Sequence, residues 1–258
     1  MPSEPLSLAH GWTLNRGPGI SRTLVRDFLR PAVREIPSSM SRRLGPCRIA
    51  VPGETEADEA SRWRLTKSAL EVSVSAVGVE DHDVAMELLV CLGQALWEKL
   101  SDAELRMYWE LLHDEISEGI EGEIDERALE EKHSLYTDRS HGRWAGRLTR
   151  YGRASFAGTA AEYVHCLWHE VTVRSGPEYL PARALRRRLE LMALWFPPDR
   201  GQRLFPTSRR RAGLATETAH LCANGAKTSA LSCGLFLGGI FAGPPRVVTC
   251  CHSAAVTL

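Results

Sequence analysis

The chain has 258 residues, 43% of them hydrophobic and 25% charged, with 32 basic side chains against 32 acidic ones. A formal net charge of zero argues against a dedicated nucleic-acid binder, which carries a basic excess. The apolar content argues against disorder of the whole chain. No run of eighteen apolar residues exists, so no membrane-spanning helix is expected.

The N-terminus, MPSEPLSLAHGWTL, lacks a basic segment leading into an apolar stretch. No secretory signal is read there, and a cytoplasmic location with reduced thiols is expected. Seven cysteines are present, none in a CxxC pair or at zinc-ribbon spacing, so they are read as partly buried free thiols. Residues 1–36 read as an extension with one short helix at 23–35 (TLVRDFLRPAVRE), interrupted by Pro31. Residues 37–205 read as the globular domain. Residues 206–258 are rich in Ser, Thr, Ala and Gly, with Glu217 their only acidic residue, and are expected to form a poorly ordered tail.

Within the domain, CRIAV at 47–51 and the alternating LEVSVSAV at 70–77 read as strands. Trp63 follows an acidic loop and is expected at the domain edge. From residue 84 the period changes. Residues 84–100 (VAMELLVCLGQALWEKL) are apolar nearly all round, which marks a central buried helix. Ser101 with Glu104 predicts a capping box opening the next helix, which runs to about residue 117. A shorter acidic helix is expected at 124–133, a long apolar one at 156–173 and a last one at 181–195, stopped by Pro197 and Pro198. The expected fold class is α+β and predominantly helical, with a small N-terminal sheet packed on a buried central helix.

The segment Val90-Cys91-Leu92-Gly93-Gln94-Ala95-Leu96-Trp97 resembles the zinc-binding helix of zincin-type metallopeptidases, which reads His-Glu-x-Gly-His-Ala-Leu. In that family two histidines one turn apart hold zinc, and the glutamate between them is the general base. The resemblance places the two histidines on Val90 and Gln94 and the glutamate on Cys91. FAGTAAEY at 156–163 is similar to the helix that follows the zincin active site. If Glu162 matches that helix's second glutamate, the third ligand position falls on Gly158. The resemblance therefore implies a zincin-like fold without its chemistry. Valine has no lone pair, glutamine is a poor zinc ligand, and a neutral thiol is a poor general base. The expected function is an inactive zincin-like domain that binds a partner or acts as a scaffold, with no cofactor. Its partner is expected to be a protein or peptide rather than nucleic acid.

A rival site lies on the other long helix. Glu162, His165 and His169 follow at steps of three and four and share one face. Opposite a clean apolar stripe, such a stripe is read first as a solvated face. The alternative is a zinc-dependent hydrolase whose metal is held by His165, His169 and Glu162. A further ligand would then come from His82-Asp83, His113-Asp114 or Cys91. Finally, residues 80–132 hold 17 acidic side chains against four basic ones, whereas arginine dominates residues 136–211. The two regions are expected to neutralise each other across the fold.

Overall fold

The structure is a computed structural model that describes residues 4–53, 61–137, 144–169 and 176–205, all within one compact unit, Met1–Pro206. The expected tail, residues 206–258, lies outside the described residues.

A five-stranded sheet has the order β1-β2-β3-β5-β4, with β1 at Leu6–Ser7, β2 at Thr13–Arg16, β3 at Cys47–Val51, β4 at Arg62–Leu65 and β5 at Leu70–Ser73. The inner strands β2, β3 and β5 are parallel, and the outer β1 and β4 are antiparallel to their neighbours. The alternation read in the sequence is the burial pattern. Cys47, Ile49 and Val51 of β3 point inward, as do Leu70 and Val72 of β5, while Arg48 points out. The strand expected at 70–77 is shorter, β5 ending at Ser73, although the Val74 N–H still reaches the Ala50 carbonyl at 2.9 Å.

The N-terminal residues are not an extension. They supply β1, β2 and the helical crossover that the parallel β2–β3 pair requires. Trp12, Leu14, Leu29, Val33 and Ile36 are fully buried in the main core. Two contacts from the far end of the domain close onto this region. Asp199 accepts the Ser38 N–H and Oγ–H at 2.9 and 2.7 Å, and Gln202 Nε2 donates to the Glu35 carbonyl at 2.9 Å. Pro31 does not interrupt the helix either. Residues Leu24–Leu29 wind as a π-helix that runs into α1, Arg30–Arg34. The Arg30 N–H bonds the Val25 carbonyl, five residues back. That wider turn eases the crowding a proline ring imposes on the turn before it.

The remaining helices are α2 (Ser38–Leu44), α3 (Asp81–Trp97), α4 (Asp102–Ser117), α5 (Glu126–Thr137), α6 (Trp144–Trp168) and α7 (Ala182–Trp195). The capping box is complete: Ser101 Oγ accepts the Glu104 N–H, and the Glu104 carboxylate accepts the Ser101 N–H. The sequence places α6 twelve residues too late at its start, because Arg147, Arg150 and Arg153 hide an apolar face. α6, about 37 Å long, packs along α3, itself about 25 Å long, in the largest helix pair of the domain. Gly93 permits that approach. A Cβ there would lie 2.8 Å from the Ala157 carbonyl oxygen and 2.9 Å from its Cα. The other face of α3 rests on β4 and β5, so the central helix lies between sheet and helices. Among the described residues, no helix is long and apolar enough to cross a membrane.

Candidate functional site

The three positions of the zincin-like motif lie together on α3. Val90 is half-buried and carries no donor atom. Cys91 is buried, and burial first, with Glu87 adding, pushes its thiol up to about 12 against a small opposing effect of Arg127. A thiol so placed stays protonated at neutral pH and has no base character. Gln94 is half-buried, and its Oε1 accepts the Trp63 indole N–H from the edge strand β4 at 2.8 Å. Trp63, expected merely at the domain edge, therefore sits over the position of the second histidine. Gly158 on α6 brings no ligand. The space its side chain would enter holds a carboxylate, since a Cβ there would meet Asp125 Oδ2 at 2.0 Å.

Asp125 caps α5 by accepting the Ala128 N–H on Oδ1 at 2.8 Å. Burial raises its carboxyl to about 6, and nearby Glu123 adds to that, against the pull of the Ala128 bond and two arginines. The ordinary value is 3.8, so between 3.8 and 6 the folded state holds more protons than the unfolded one, and stability falls as pH rises. Asp125→Asn keeps an acceptor for the cap and removes the buried charge. It is expected to raise stability by about 1–3 kcal/mol at pH 8 and to change little at pH 4. Urea denaturation at the two pH values checks this, and an equal effect at both would contradict it.

The polar stripe of α6 is not simply a solvated face. The side chains of Glu162 and His165 retain 14% and 17% of their exposure, and a third imidazole, from the start of α3, faces them. His82 Nε2 lies 3.3 Å from His165 Nε2. Behind them, Glu162 Oε2 is 3.3 Å from His165 Nδ1 and Asp83 Oδ1 is 3.4 Å from His82 Nδ1. The exposed His169 completes the group, its ring centre 5.6 Å from that of His165 and 6.2 Å from that of His82. Burial, then His165 and His82, lower its pKa. Trp168 stacks on His82 at 5.9 Å and Phe28 meets it edge-on at 6.5 Å. Of the further ligands considered, His82-Asp83 is the pair brought to this face. His113 is 82% exposed beside Asp114, and Cys91 is enclosed in the core. As the side chains stand, among the described residues no group of three or more His, Cys, Asp or Glu is placed to hold a metal ion.

A third constellation has no signature in the sequence. Arg188 of α7 is fully buried, and all five of its N–H groups are used. Nε donates to Glu115, Nη1 to Glu123 Oε2 and Ser155 Oγ, both at 2.7 Å, and Nη2 to Glu115 Oε2 at 2.5 Å and Glu123 Oε1 at 3.0 Å. Lys132 Nζ, also buried, donates to Glu123 Oε1 at 3.2 Å, and the Tyr151 hydroxyl donates to the same oxygen at 2.6 Å. Two cations and two carboxylates balance. Burial works against the charge on Glu123, but Arg188, Lys132 and Tyr151 outweigh it and hold its carboxyl down at about 2. The network realises the expected pairing of the acidic and arginine-rich regions, as do Arg187 and Arg183 on Glu118 and Arg150 on Glu131 at the surface. With every donor of Arg188 satisfied, it is a structural clamp among α4, α6, α7 and the turn at Glu123 rather than a reactive centre.

In comparisons by sequence and by structure, no family model, curated protein or solved structure matches the chain.

Proposed function

We propose that this chain is a zincin-like domain without zinc hydrolysis, acting as a binding or scaffold protein. The observation that carries the reading is the state of the motif helix. The Gln94 acceptor is occupied by Trp63, and Cys91 is a buried, protonated thiol where a carboxylate base would stand. Val90 and Gly158 contribute no donor atoms. The placement of α3, sandwiched between a mixed sheet and α6, supports the zincin-like comparison. The binding edge this reading favours is β4. It is the outer strand that carries Trp63, and no described strand pairs with its far side. An extended protein or peptide segment can add to such an edge through main-chain hydrogen bonds.

The hydrolase alternative, with zinc on Glu162, His165 and His169, is supported less well. The Glu162 carboxylate is engaged with His165 Nδ1, which makes it an orienting partner rather than a ligand beside that ring. The test is incubation of the zinc-supplemented protein with a mixture of unstructured peptides, read by mass spectrometry. No cleavage above a heat-denatured control is expected. Zinc-dependent cleavage that disappears in Cys91→Ala or Gln94→Ala would overturn the reading.

A further inference from the structure

The histidine cluster plays no part in that function, and its ring nitrogens are spaced so that a ligand could join them. Ionised carboxylates only accept hydrogen bonds, so Glu162 and Asp83 place the ring protons of His165 and His82 on Nδ1. In neutral rings this leaves both Nε2 atoms with lone pairs, and those atoms face each other at 3.3 Å. Nitrogens at that separation are joined either by a proton, in a ring-to-ring hydrogen bond, or by a metal ion.

The spacing suits a metal. With metal–nitrogen bonds of 2.0–2.1 Å, two nitrogens 3.3 Å apart subtend about 107° at the ion, close to the tetrahedral angle. The same geometry puts the ring centres of two ligating imidazoles about 5.2 Å apart. His82 and His165 stand at 5.2 Å. His169, at 5.6 and 6.2 Å, is exposed and is the ring that must turn inward by roughly an ångström to complete the set. The surroundings favour a cation further. The C-terminal end of α6 carries partial negative charge, and Glu162 and Asp83 supply the carboxylate-behind-imidazole arrangement that raises ligand basicity.

We infer that His82, His165 and His169 form a binding site for one divalent first-row transition metal, with zinc as the reference ion, oriented by Glu162 and Asp83. The site is separate from the motif positions of α3. It clips the start of α3 to the end of α6 and requires no hydrolytic activity. With no thiolate in the set, imidazole selects zinc, copper or nickel over magnesium or calcium.

The full chain, stripped with a chelator, is titrated with Zn²⁺ and separately with Co²⁺. Cys222, Cys233, Cys250, Cys251 and His252 in the same chain can also take these ions, so the site is read by difference. Wild type is expected to bind one more equivalent than the double variant His82→Ala/His165→Ala. The tetrahedral Co²⁺ absorption in the visible should fall in the variant, while any thiolate charge-transfer band in the near ultraviolet stays. Glu162→Gln is expected to weaken the site about 10–100-fold without abolishing it. His113→Ala, on an exposed ring elsewhere, should change nothing. Equal stoichiometry in wild type and double variant, or no binding by wild type, overturns the proposal. If the double variant does not keep its far-ultraviolet circular dichroism, ring ¹⁵N shifts of His82 and His165 in wild type decide: movement with Zn²⁺ supports the site and fixed shifts sink it. Peptide cleavage that survives the double variant would overturn the proposed function while leaving this site intact.

Discussion

Arg188→Ala is expected to cost about 3–5 kcal/mol of folding stability, the range for breaking a buried ion pair from one side. The loss of a side chain is the smaller part. Five hydrogen bonds to Glu115, Glu123 and Ser155 disappear, and of the two buried carboxylates Glu123 keeps its bond from Lys132 while Glu115 loses the guanidinium that faced it. Arg188→Lys should recover little, because one ammonium cannot span the planar fork that two carboxylates and a hydroxyl fill. Urea denaturation at pH 7 measures the difference as a lower midpoint at unchanged slope. The network also sets an acid limit. The Glu123 carboxyl titrates near 2 when folded against 4.5 ordinarily, so its contribution is complete above 4.5 and is lost as pH falls through that window towards 2. In Arg188→Ala that acid-linked loss should shrink, since the guanidinium that depresses the carboxyl is gone. A destabilisation below about 1 kcal/mol would mean that water reaches the carboxylates and that their burial is overstated.

Gly93→Ala is expected to destabilise the domain by about 1–3 kcal/mol, lowering its melting temperature by roughly 3–10 °C. The sign is the informative part. In an exposed helix the same change stabilises by about 1 kcal/mol, because alanine restricts the unfolded chain more. Here the added methyl meets backbone atoms of Ala157, which cannot swing aside as a side chain can, so α3 and α6 must separate. Ala157→Gly should therefore not rescue the variant, whereas the loss should be shared by any larger residue at 93. An unchanged or raised melting temperature would show that the two helices slide apart at no cost. Gly158, the next residue of α6, meets Asp125 at the start of α5 instead, so it is the contact of α5 with α6 that closes the position the zincin comparison assigns to a third ligand.

Much of the framework is legible along the chain because it is encoded locally. The period of 3.6 marks α3, α4 and α7 to within a few residues, and the spacing of Ser101 and Glu104 marks a cap that forms as read. Alternation marks β5 and a short strand segment marks β3, and the fully buried side chains of both are apolar. The outer strands were not legible in the same way. β1 is two residues long, and β4, RWRL, alternates over only four residues, three of them exposed. The start of α6 was hidden by arginines that pair with Glu131 and Glu98 on neighbouring helices.

The sequence by itself determined that the chain is a mixed α and β protein built around one apolar helix, that this helix lacks the donor atoms of a zinc peptidase, and that acid and arginine are segregated along the chain. Only the tertiary structure decided which of those charges meet. Glu115 and Arg188 stand 73 residues apart, and His82 and His165 stand 83 apart. Local periodicity says which face of a helix is polar, not what lies across from it. Arg188 falls within a run of three arginines that composition treats alike, yet it is buried while Arg186 and Arg187 reach the surface. What separates them is a rotation of about 100° per residue about the α7 axis, which turns one of them toward Glu115 and Glu123. That choice depends on where α4 and α6 pack, and it is made only when they do.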